Sequence, residues 1–238
     1  MLITGAARRV GKALAMAFGA RGAKIAIHYN KSRKEAQRLA DDITDGFGRD
    51  AVLFKADLSD ARQTRRLGEA VGKHFGDLHV LVNNASLYEK TLFEDTTVGD
   101  WNKHLDVNLR APFILSQAVA PLMRKSGGGK IINLADWAAL RPYADYIPYC
   151  VSKAGLLCLN TALAKELAPD IQVNAIMPGP VLLPENTSRR TREAIIKATL
   201  VKRLGSPEDI AAAALFLIES GDFITGASIP VDGGRLVA

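Results

Sequence analysis

Short apolar runs of β type alternate with helical patterns along the whole chain, and this alternation limits the possible folds more than any other feature. Most of the runs are continuously apolar, which is typical of strands buried on both faces of a parallel sheet. The predicted strands are Met1–Thr4, Lys24–Tyr29, Ala51–Ala56, His79–Val82, Lys130–Leu134, Gln172–Ile176 and Ser228–Val231. The predicted helices include Gly11–Gly19, Ala61–Phe75, Thr161–Leu167 and Pro207–Glu219. The pattern predicts an α/β fold, with a parallel sheet and helices on both of its faces.

The chain is long enough for one substantial hydrophobic core, because it has 238 residues of which 48% are hydrophobic. No internal repeat, low-complexity tract or Gly/Ser-rich linker divides it, so we expect a single domain over residues 1–238. One long segment, Val181–Gly205, lies outside the alternation of strands and helices. Segments of that length without obvious structure are usually functional, so we expect a lid over the substrate there.

Composition excludes several other classes of protein. The net charge is +6, but the basic residues are scattered rather than gathered into a run, so we expect no nucleic-acid partner. Cys150 and Cys158 fall about 12 Å apart on one predicted helix, too far for a disulfide. The longest apolar stretch, Ile210–Ile218, is too short to span a membrane, and no basic-then-apolar leader opens the chain. No cluster of residues has metal-ligand spacing. We expect a cytoplasmic enzyme without a metal.

A glycine-containing turn, Thr4–Gly11, follows the first predicted strand and leads into a helix. Gly5 and Gly11 let the backbone approach a pyrophosphate, and the N-terminus of the helix offers free N–H groups to it. The turn therefore indicates a dinucleotide cofactor.

The end of the second predicted strand indicates which dinucleotide is bound. An NAD enzyme usually places an acidic residue here to bind the adenosine ribose, and this chain has none. Instead Lys31, Ser32 and Arg33, with Arg9 from the first turn, form a group suited to a ribose phosphate. The alternative is that these are ordinary exposed loop charges. We favour NADPH as the cofactor, because the missing carboxylate and the added cations agree.

Tyr149 and Lys153 lie four residues apart, so that their side chains share one face of a helix that Pro148 can begin. A tyrosine titrates near 10, so acting near neutrality needs a downward pKa shift of about 3 units. One cation at about 4 Å provides that much at an effective dielectric of about 20. We therefore expect Lys153 to lower the pKa of Tyr149. The alternative is a chance pairing on a surface helix.

Further motifs, taken in order along the chain, resemble the short-chain dehydrogenase/reductase family. They are Thr4–Gly11, Asn83-Asn84-Ala85, Asp106-Val107-Asn108, Tyr149–Lys153, Pro178-Gly179 and Asp232-Gly233-Gly234. The resemblance covers nearly the whole chain and implies a Rossmann-like, seven-stranded sheet. It also implies that Asn108 anchors a water in a proton relay. Together with the patterns above, it gives the predicted cofactor-binding residues Gly5, Arg9, Val10, Gly11, His28, Tyr29, Asn30, Ser32, Arg33, Asp57, Leu58, Asn84, Ala85, Lys153, Pro178, Gly179 and Val181.

Three departures from the family pattern narrow the resemblance. Arg9 replaces the middle glycine of the cofactor turn, Ser86 replaces the glycine after Asn-Asn-Ala, and Asp136 replaces the serine thirteen residues before the tyrosine. Together they resemble the pteridine reductases and their bacterial dihydropteridine-reducing relatives, and His28–Ser32, Tyr88 and Leu182-Leu183-Pro184 agree with this. In that subgroup the pterin lies between the nicotinamide and an aromatic residue, which Tyr88 would provide. The resemblance implies that Arg9, Ser86, Tyr88, Asp136, Tyr149 and Leu182 bind the substrate.

The predicted function is the transfer of a hydride from NADPH to a C=N bond of a pteridine of the pterin, dihydropterin or dihydrofolate type. The predicted catalytic residues are Asn108, Asp136, Tyr149 and Lys153. A carbonyl or 3-oxoacyl reductase is the alternative within the family, and a non-catalytic NADP-binding sensor is the alternative from another class. The basic residues Arg189, Arg190, Arg192, Lys197, Lys202 and Arg203 suit either an anionic substrate tail or a solvated face, and we favour the solvated face. The resemblance further implies a homotetramer.

Overall fold

The computed structural model describes residues 1–183 and 186–238. Seven parallel strands form a single sheet in the order β3-β2-β1-β4-β5-β6-β7. The strands are β1 (Leu2–Ile3), β2 (Ile25–Tyr29), β3 (Ala51–Lys55), β4 (Val80–Asn83), β5 (Gly129–Leu134), β6 (Ile171–Pro178) and β7 (Ser228–Val231). Each predicted strand is confirmed, with ends that differ by one or two residues. This is the predicted α/β fold.

Helices cover both faces of the sheet. Within the described residues they are α1 (Arg9–Ala20), α2 (Arg33–Phe47), α3 (Ala61–Phe75), α4 (Val98–Leu105), α5 (Ala111–Lys125), α6 (Ile147–Leu167), α7 (Arg189–Ala198) and α8 (Pro207–Glu219). The predicted Ala61–Phe75 and Pro207–Glu219 agree with α3 and α8, whereas Thr161–Leu167 is only the last part of α6. The segment Val181–Gly205 contains α7, so it is not a structureless loop.

Neighbouring residues of one strand pack into two separate hydrophobic cores, because successive side chains point to opposite faces of a sheet. Ile3 packs into the core formed by α1, α2 and α8, where Leu14, Leu39 and Ile210 are fully buried. Leu2 packs into the core formed by α3, α5 and α6. This two-sided burial explains why the strands are continuously apolar in sequence.

Helix α6 is the one helix in the described residues that is long and apolar enough to cross a membrane. Half of its apolar window is buried inside the fold, and Leu156 and Leu163 belong to the packed cores. We therefore interpret it as a core helix. Cys150 and Cys158 are both on this helix, and both are free thiols.

The order of the strands defines where a ligand binds. Strand β1 pairs with β2 on one side and with β4 on the other. After β1 the chain continues to β2, whereas after β4 it continues to β5 on the opposite side, so the strand order reverses between β1 and β4. In open α/β sheets the crevice at this switch point, outside the carboxyl ends of the strands, is the usual ligand site. The turn after β1 and the Asn84-Ala85 segment after β4 border this crevice.

Candidate active site

The turn between β1 and α1 is shaped by close backbone approaches. Gly5 has a φ of +61°, and a Cβ atom there would lie 3.0 Å from the Cα atom of Ala85. A Cβ atom on Gly11 would lie 2.3 Å from the carbonyl oxygen of Gly5. Arg9 has a φ of +53°, so its backbone keeps the left-handed conformation for which glycine is the usual residue. The turn therefore keeps the geometry of a glycine turn although Arg9 supplies a side chain.

The N-terminus of α1 suits a phosphate. The residue before the helix, Arg8, makes no capping hydrogen bond with its side chain, and the first turn contains no acidic residue. Helices α3, α4 and α8, by contrast, are capped by Asp60, Thr97 and Ser206. The first N–H groups of α1 thus remain available to an anion, and the helix dipole favours one. These residues fit the pyrophosphate of a dinucleotide.

Asn84 and Thr4 fix the two sides of the crevice to each other. The Thr4 hydroxyl accepts hydrogen bonds from the backbone N–H groups of Asn84 and Ala85, both at 2.9 Å. The Asn84 side chain donates to the carbonyl oxygens of Thr4 (2.8 Å) and Gly5 (3.2 Å). The predicted Asn84 and Ala85 therefore border the cofactor turn directly.

His28 supports the turn from below, since it is buried and both ring nitrogens are used within the protein; its contact with the cofactor stays a prediction. Its Nδ1 accepts a hydrogen bond from the Gly5 N–H at 3.0 Å, so the ring proton is on Nε2, which donates to the Ala56 carbonyl oxygen at 3.1 Å. Burial of the ring lowers the pKa of His28 to about 4, so the imidazole is neutral. Its role is to position the backbone of Gly5.

The predicted phosphate-binding residues lie together at the end of β2. Arg33 is exposed at the start of α2, and Ser32 precedes it with a hydroxyl that makes no capping hydrogen bond. The side chain of Asn30 reaches Asp57, whose pKa is lowered mainly by hydrogen bonds from the backbone and side chain of Ser59. Asp57-Leu58, predicted to contact the adenine, thus lies beside the residues predicted to bind the ribose phosphate. The predicted Tyr29 is buried in the core at the end of β2.

Asp136 and Tyr149 form the centre of the site. The Tyr149 hydroxyl donates to Oδ2 of Asp136 at 2.6 Å, and Oδ1 of Asp136 accepts from the Ala138 N–H at 2.7 Å. The Lys153 ammonium group donates to the Leu134 carbonyl oxygen at 2.6 Å and lies 5.9 Å from the centroid of the Tyr149 ring. Strand β5 and helix α6 therefore bring the three predicted catalytic side chains together.

The pKa of Tyr149 differs from the expectation that Lys153 lowers it. Burial, and then the charge of Asp136, raise the pKa of Tyr149 well above its usual value. Burial also raises the pKa of Asp136. Burial lowers the pKa of Lys153 to about 8, which the charge of Asp136 partly offsets. Burial thus raises the pKa of both acidic partners, and the Tyr149 hydroxyl keeps its proton in the hydrogen bond to Asp136.

Asn108 links the substrate side of the site to α6. It lies in a π-helical turn, Asp106–Arg110, and is buried. Its Oδ1 accepts from the Leu87 N–H (2.7 Å) and the Ser86 hydroxyl (3.3 Å), and its Nδ2 donates to the Leu87 carbonyl oxygen and the Ser152 hydroxyl, both at 2.9 Å. These four bonds use the full hydrogen-bonding capacity of an amide. The side chain is thus a fixed structural link, and the water that the resemblance assigns to Asn108 stays a prediction.

Ser152, Tyr146 and Tyr143 belong to the site but are absent from the sequence predictions. Ser152 connects Asn108 to the Tyr149 carbonyl oxygen, to which its hydroxyl donates at 2.6 Å. Tyr88 stacks on Tyr146, with ring centroids 4.6 Å apart, and meets the Tyr149 ring edge-on at 4.8 Å. Tyr143 packs edge-on against Tyr146 at 5.4 Å. The spacing Tyr-x-x-Tyr-x-x-Tyr is the sequence signal for this aromatic cluster.

The segment after β6 completes the crevice. The N–H of Gly179 donates to the Val231 carbonyl oxygen at 3.0 Å, and a Cβ atom on Gly179 would lie 2.5 Å from the Cα atom of Asp232. The Arg9 guanidinium donates to the Leu182 carbonyl oxygen at 2.9 Å. The start of the predicted lid is thus bonded to the cofactor turn. Pro184, part of the subgroup motif, lies outside the described residues.

No group of three or more His, Cys, Asp or Glu side chains in residues 1–183 and 186–238 is arranged to hold a metal ion.

Trp137, which follows Asp136, packs at 5.9 Å from Tyr143, and the Arg235 guanidinium lies 5.1 Å above its ring. The indole therefore has a packing role at the edge of the site.

Comparisons with known proteins agree with the fold and the motifs. The model of the family described as enoyl-(acyl carrier protein) reductase matches residues 5–235. A short-chain type dehydrogenase/reductase of Picea abies is 31% identical and aligns over 99% of this chain and 91% of its own length. A 3-oxoacyl-[acyl-carrier-protein] reductase of Synechocystis is 33% identical over 99% of this chain and 96% of its own length.

A solved structure is also similar. FolM alternative dihydrofolate reductase 1 of Brucella canis, complexed with NADP, is 32% identical, and the alignment covers 100% of this chain and 93% of that chain with a TM-score of 0.91. The chain belongs to the short-chain dehydrogenase/reductase family.

Proposed function

We propose that this enzyme transfers a hydride from NADPH to a C=N bond of a pteridine of the pterin, dihydropterin or dihydrofolate type. The observation that carries the proposal is the 2.6 Å hydrogen bond from the Tyr149 hydroxyl to the Asp136 carboxylate. The similarity to a dihydrofolate reductase of the same family supports it.

A carboxylate beside the catalytic tyrosine suits a C=N bond better than a C=O bond. When a ketone accepts a hydride, negative charge develops on its oxygen, which then needs hydrogen-bond donors. An ionised Asp136 only accepts, so it would repel that charge. A ring nitrogen instead gains a proton. The Asp136 carboxylate, which accepts from the Tyr149 hydroxyl, can also accept a hydrogen bond from the N–H group that forms.

The residues have separate roles in this proposal. NADPH, when bound, supplies the hydride. Tyr149 delivers the proton, Asp136 orients the tyrosine hydroxyl and accepts a hydrogen bond from the new N–H group, and Lys153 holds the nicotinamide ribose. Asn108 fixes the backbone around Ser86. The ring of the substrate is positioned by Arg9, Ser86, Tyr88 and Leu182.

NADPH is bound along the carboxyl edge of the sheet. The Thr4–Gly11 turn and the N-terminus of α1 hold the pyrophosphate, and Arg9, Ser32 and Arg33 bind the ribose phosphate. The missing acidic residue after β2 and the exposed cations there support NADPH over NADH. Asn84, Ala85, Asp57 and Leu58 border the adenosine, while Pro178, Gly179 and Val181 lie against the nicotinamide.

Reduction of a carbonyl or 3-oxoacyl group is the second candidate. The 33% identity to a 3-oxoacyl reductase over nearly the whole chain favours it. A non-catalytic NADP-binding sensor is disfavoured, because a pure binding protein has no need of the buried Tyr149, Lys153 and Asp136 group.

A turnover assay with NADPH decides between these candidates. The purified protein is offered dihydrobiopterin, dihydrofolate, a 3-oxoacyl thioester and small ketones, and NADPH oxidation is followed. We expect pteridines to give the highest kcat/KM. High activity on ketones or thioesters with none on any pteridine would contradict the proposal and select the second candidate.

We further propose that the enzyme is a cytoplasmic homotetramer and that Val181–Gly205 is a lid over the substrate. Exposed apolar side chains on α5 and α6 support the assembly. Phe113, Ile147 and Val151 are each more than 40% exposed on these helices. Sedimentation of the purified protein tests the assembly.

A further inference from the structure

A cavity of about 690 Å³ lies between the chain segment after β6, helix α7 and the segment leading to α8. Its walls include Val181, Leu182, Ile196 and Leu204. We refer to it as the α7 cavity. Its volume is well within the range of about 300–1,000 Å³ that small-molecule sites occupy.

The two sides of the α7 cavity are fixed by hydrogen bonds to the sheet. The Gly205 N–H donates to the Pro180 carbonyl oxygen at 3.1 Å, which joins its far side to the end of β6. The Leu200 N–H donates to the Gly233 carbonyl oxygen at 2.8 Å, which joins it to the turn after β7. The cavity is therefore formed by the fold itself rather than by a ligand.

The charged side chains that line the α7 cavity are all basic among the residues that the structure describes. Arg192, Lys202 and Arg203 line it, and none of the lining residues that the structure describes is acidic. Arg203 is neutralised by a two-pronged ion pair with Asp209, at 2.7 and 2.9 Å. Lys202 donates to the Lys197 carbonyl oxygen, at 2.7 Å. Within residues 1–183 and 186–238, neither Arg192 nor Lys202 forms an ion pair. In this part of the chain the two cations thus have no counter-charge.

Two other basic residues of α7, Arg189 and Arg190, do not line the cavity. Arg189 pairs with Glu193 on the same helix at 2.7 Å, and Arg190 is exposed on α7 without lining the cavity. The interpretation of the basic residues as one solvated face therefore holds for part of the set only. Arg192 and Lys202 are the two basic lining residues that form no ion pair within residues 1–183 and 186–238.

The α7 cavity adjoins the position proposed for the substrate ring. Leu182 belongs to both, Val181 joins the cavity to the position proposed for the nicotinamide, and the Leu182 carbonyl oxygen accepts a hydrogen bond from Arg9 on the cofactor turn. Because Leu182 lines the cavity, a ring substituent that extends past Leu182 on that side would meet it. An extended substituent with an apolar body and an anionic end matches its apolar walls and its cations.

We infer that the α7 cavity receives an anionic tail of the substrate, with Arg192 and Lys202 as its binding residues. The inference rests on the proposed function, which makes the glutamate carboxylates of a dihydrofolate the matching group. The phosphate of a thioester carrier has the same chemistry and would take the same place in the second candidate function.

Two pteridines that differ in their tails test the inference. Dihydrofolate carries a dicarboxylate tail, whereas dihydrobiopterin carries a short uncharged one. For Arg192→Gln we expect the ratio of kcat/KM for dihydrofolate to that for dihydrobiopterin to fall about tenfold, mainly through KM, as for a lost hydrogen bond to a charged group. Arg192→Gln combined with Lys202→Gln should lower the ratio further. Arg190→Gln, a change of the same kind on the same helix, is the matched control and should keep the parent ratio.

Salt dependence and the binding of a tail fragment are two independent measurements. The KM for dihydrofolate should rise with sodium chloride more than that for dihydrobiopterin, because salt screens exposed charges. Calorimetry should detect p-aminobenzoylglutamate, the tail without the ring, binding to the parent protein with NADPH and more weakly to Arg192→Gln.

The outcomes separate this inference from the proposed function. If the parent reduces both pteridines and the ratio is the same in Arg192→Gln as in Arg190→Gln, the inference is wrong and the proposed function stands.

If the parent reduces no pteridine, the proposed function is wrong. The inference is then tested with a 3-oxoacyl thioester of coenzyme A against the same acyl group on N-acetylcysteamine, which lacks phosphate. An unchanged ratio there overturns it. If no substrate is turned over, failure of p-aminobenzoylglutamate to bind overturns it.

Discussion

Replacement of Asp136 by Asn probes the contact on which the proposed function depends. Asn keeps the size and shape of the side chain but carries no charge and cannot take up a proton. Its Oδ1 can still accept the hydrogen bond from Ala138, so the local turn at residues 137–139 should persist. The change therefore isolates the charge of the carboxylate from its structural role.

The distance between Asp136 and Tyr149 sets the size of the expected effect. Two unit negative charges 2.6 Å apart repel by about 6 kcal/mol at an effective dielectric of about 20. Loss of the Asp136 charge should therefore lower the pKa of Tyr149. The reduction of pteridines should fall by about 100-fold or more in kcat/KM, because the ring nitrogen loses its carboxylate partner. Reduction of ketones should be unchanged or improved, and Asp136→Ser should behave in the same way.

The pKa of Tyr149 is measurable by a titration of tyrosinate absorbance, with Tyr149→Phe as the reference for the other tyrosines. The pH profile of kcat/KM for a pteridine should also change, since one titrating group is removed. Parent-like activity on pteridines with an unchanged pH profile in Asp136→Asn would disprove the link between this carboxylate and protonation of a ring nitrogen.

Three further predictions concern other parts of the site. Tyr149→Phe should lower kcat by about 100-fold or more while the Kd of NADPH, measured by fluorescence, hardly changes; near-normal turnover would rule out tyrosine as the acid. Arg33→Ala should weaken NADPH by about 1.5–3 kcal/mol and NADH by much less, as kcat/KM for the two cofactors will show; equal use of both cofactors by the parent would be inconsistent with a phosphate site. The folded-state pKa of His28 is about 4 against 6.5 for the free side chain, so its contribution to stability is complete above 6.5 and is lost as the pH falls towards 4. That loss amounts to about 3 kcal/mol. The free energy of unfolding, measured with urea, should therefore fall less with decreasing pH in His28→Gln than in the parent. An equal pH dependence in the two proteins would exclude this contribution of His28.

Local sequence patterns were sufficient to predict the fold and the position of most candidate residues. Continuous apolar runs are buried on both faces of a parallel sheet, so β1–β7 are visible in the local pattern. The turn between Gly5 and Gly11 and the four-residue spacing of Tyr149 and Lys153 are local as well, because the geometry of a tight turn or of one helix face depends on neighbouring residues only. The capping box that begins α8, formed by Ser206 and Asp209, is likewise made by neighbouring residues.

The way in which these residues act on each other depends on tertiary contacts. The pKa of Tyr149 depends on burial and on Asp136, which reaches it from the end of a different element, so the spacing of Tyr149 and Lys153 alone predicted the wrong direction. His28 acts through Gly5 only because β1 and β2 are adjacent in the sheet. Which cations of the α7 cavity are paired also depends on tertiary contacts: among the described residues Arg203 pairs with Asp209, whereas Arg192 pairs with no carboxylate. Contacts between distant segments determine burial and charge pairing, and these are the quantities that local sequence patterns do not contain.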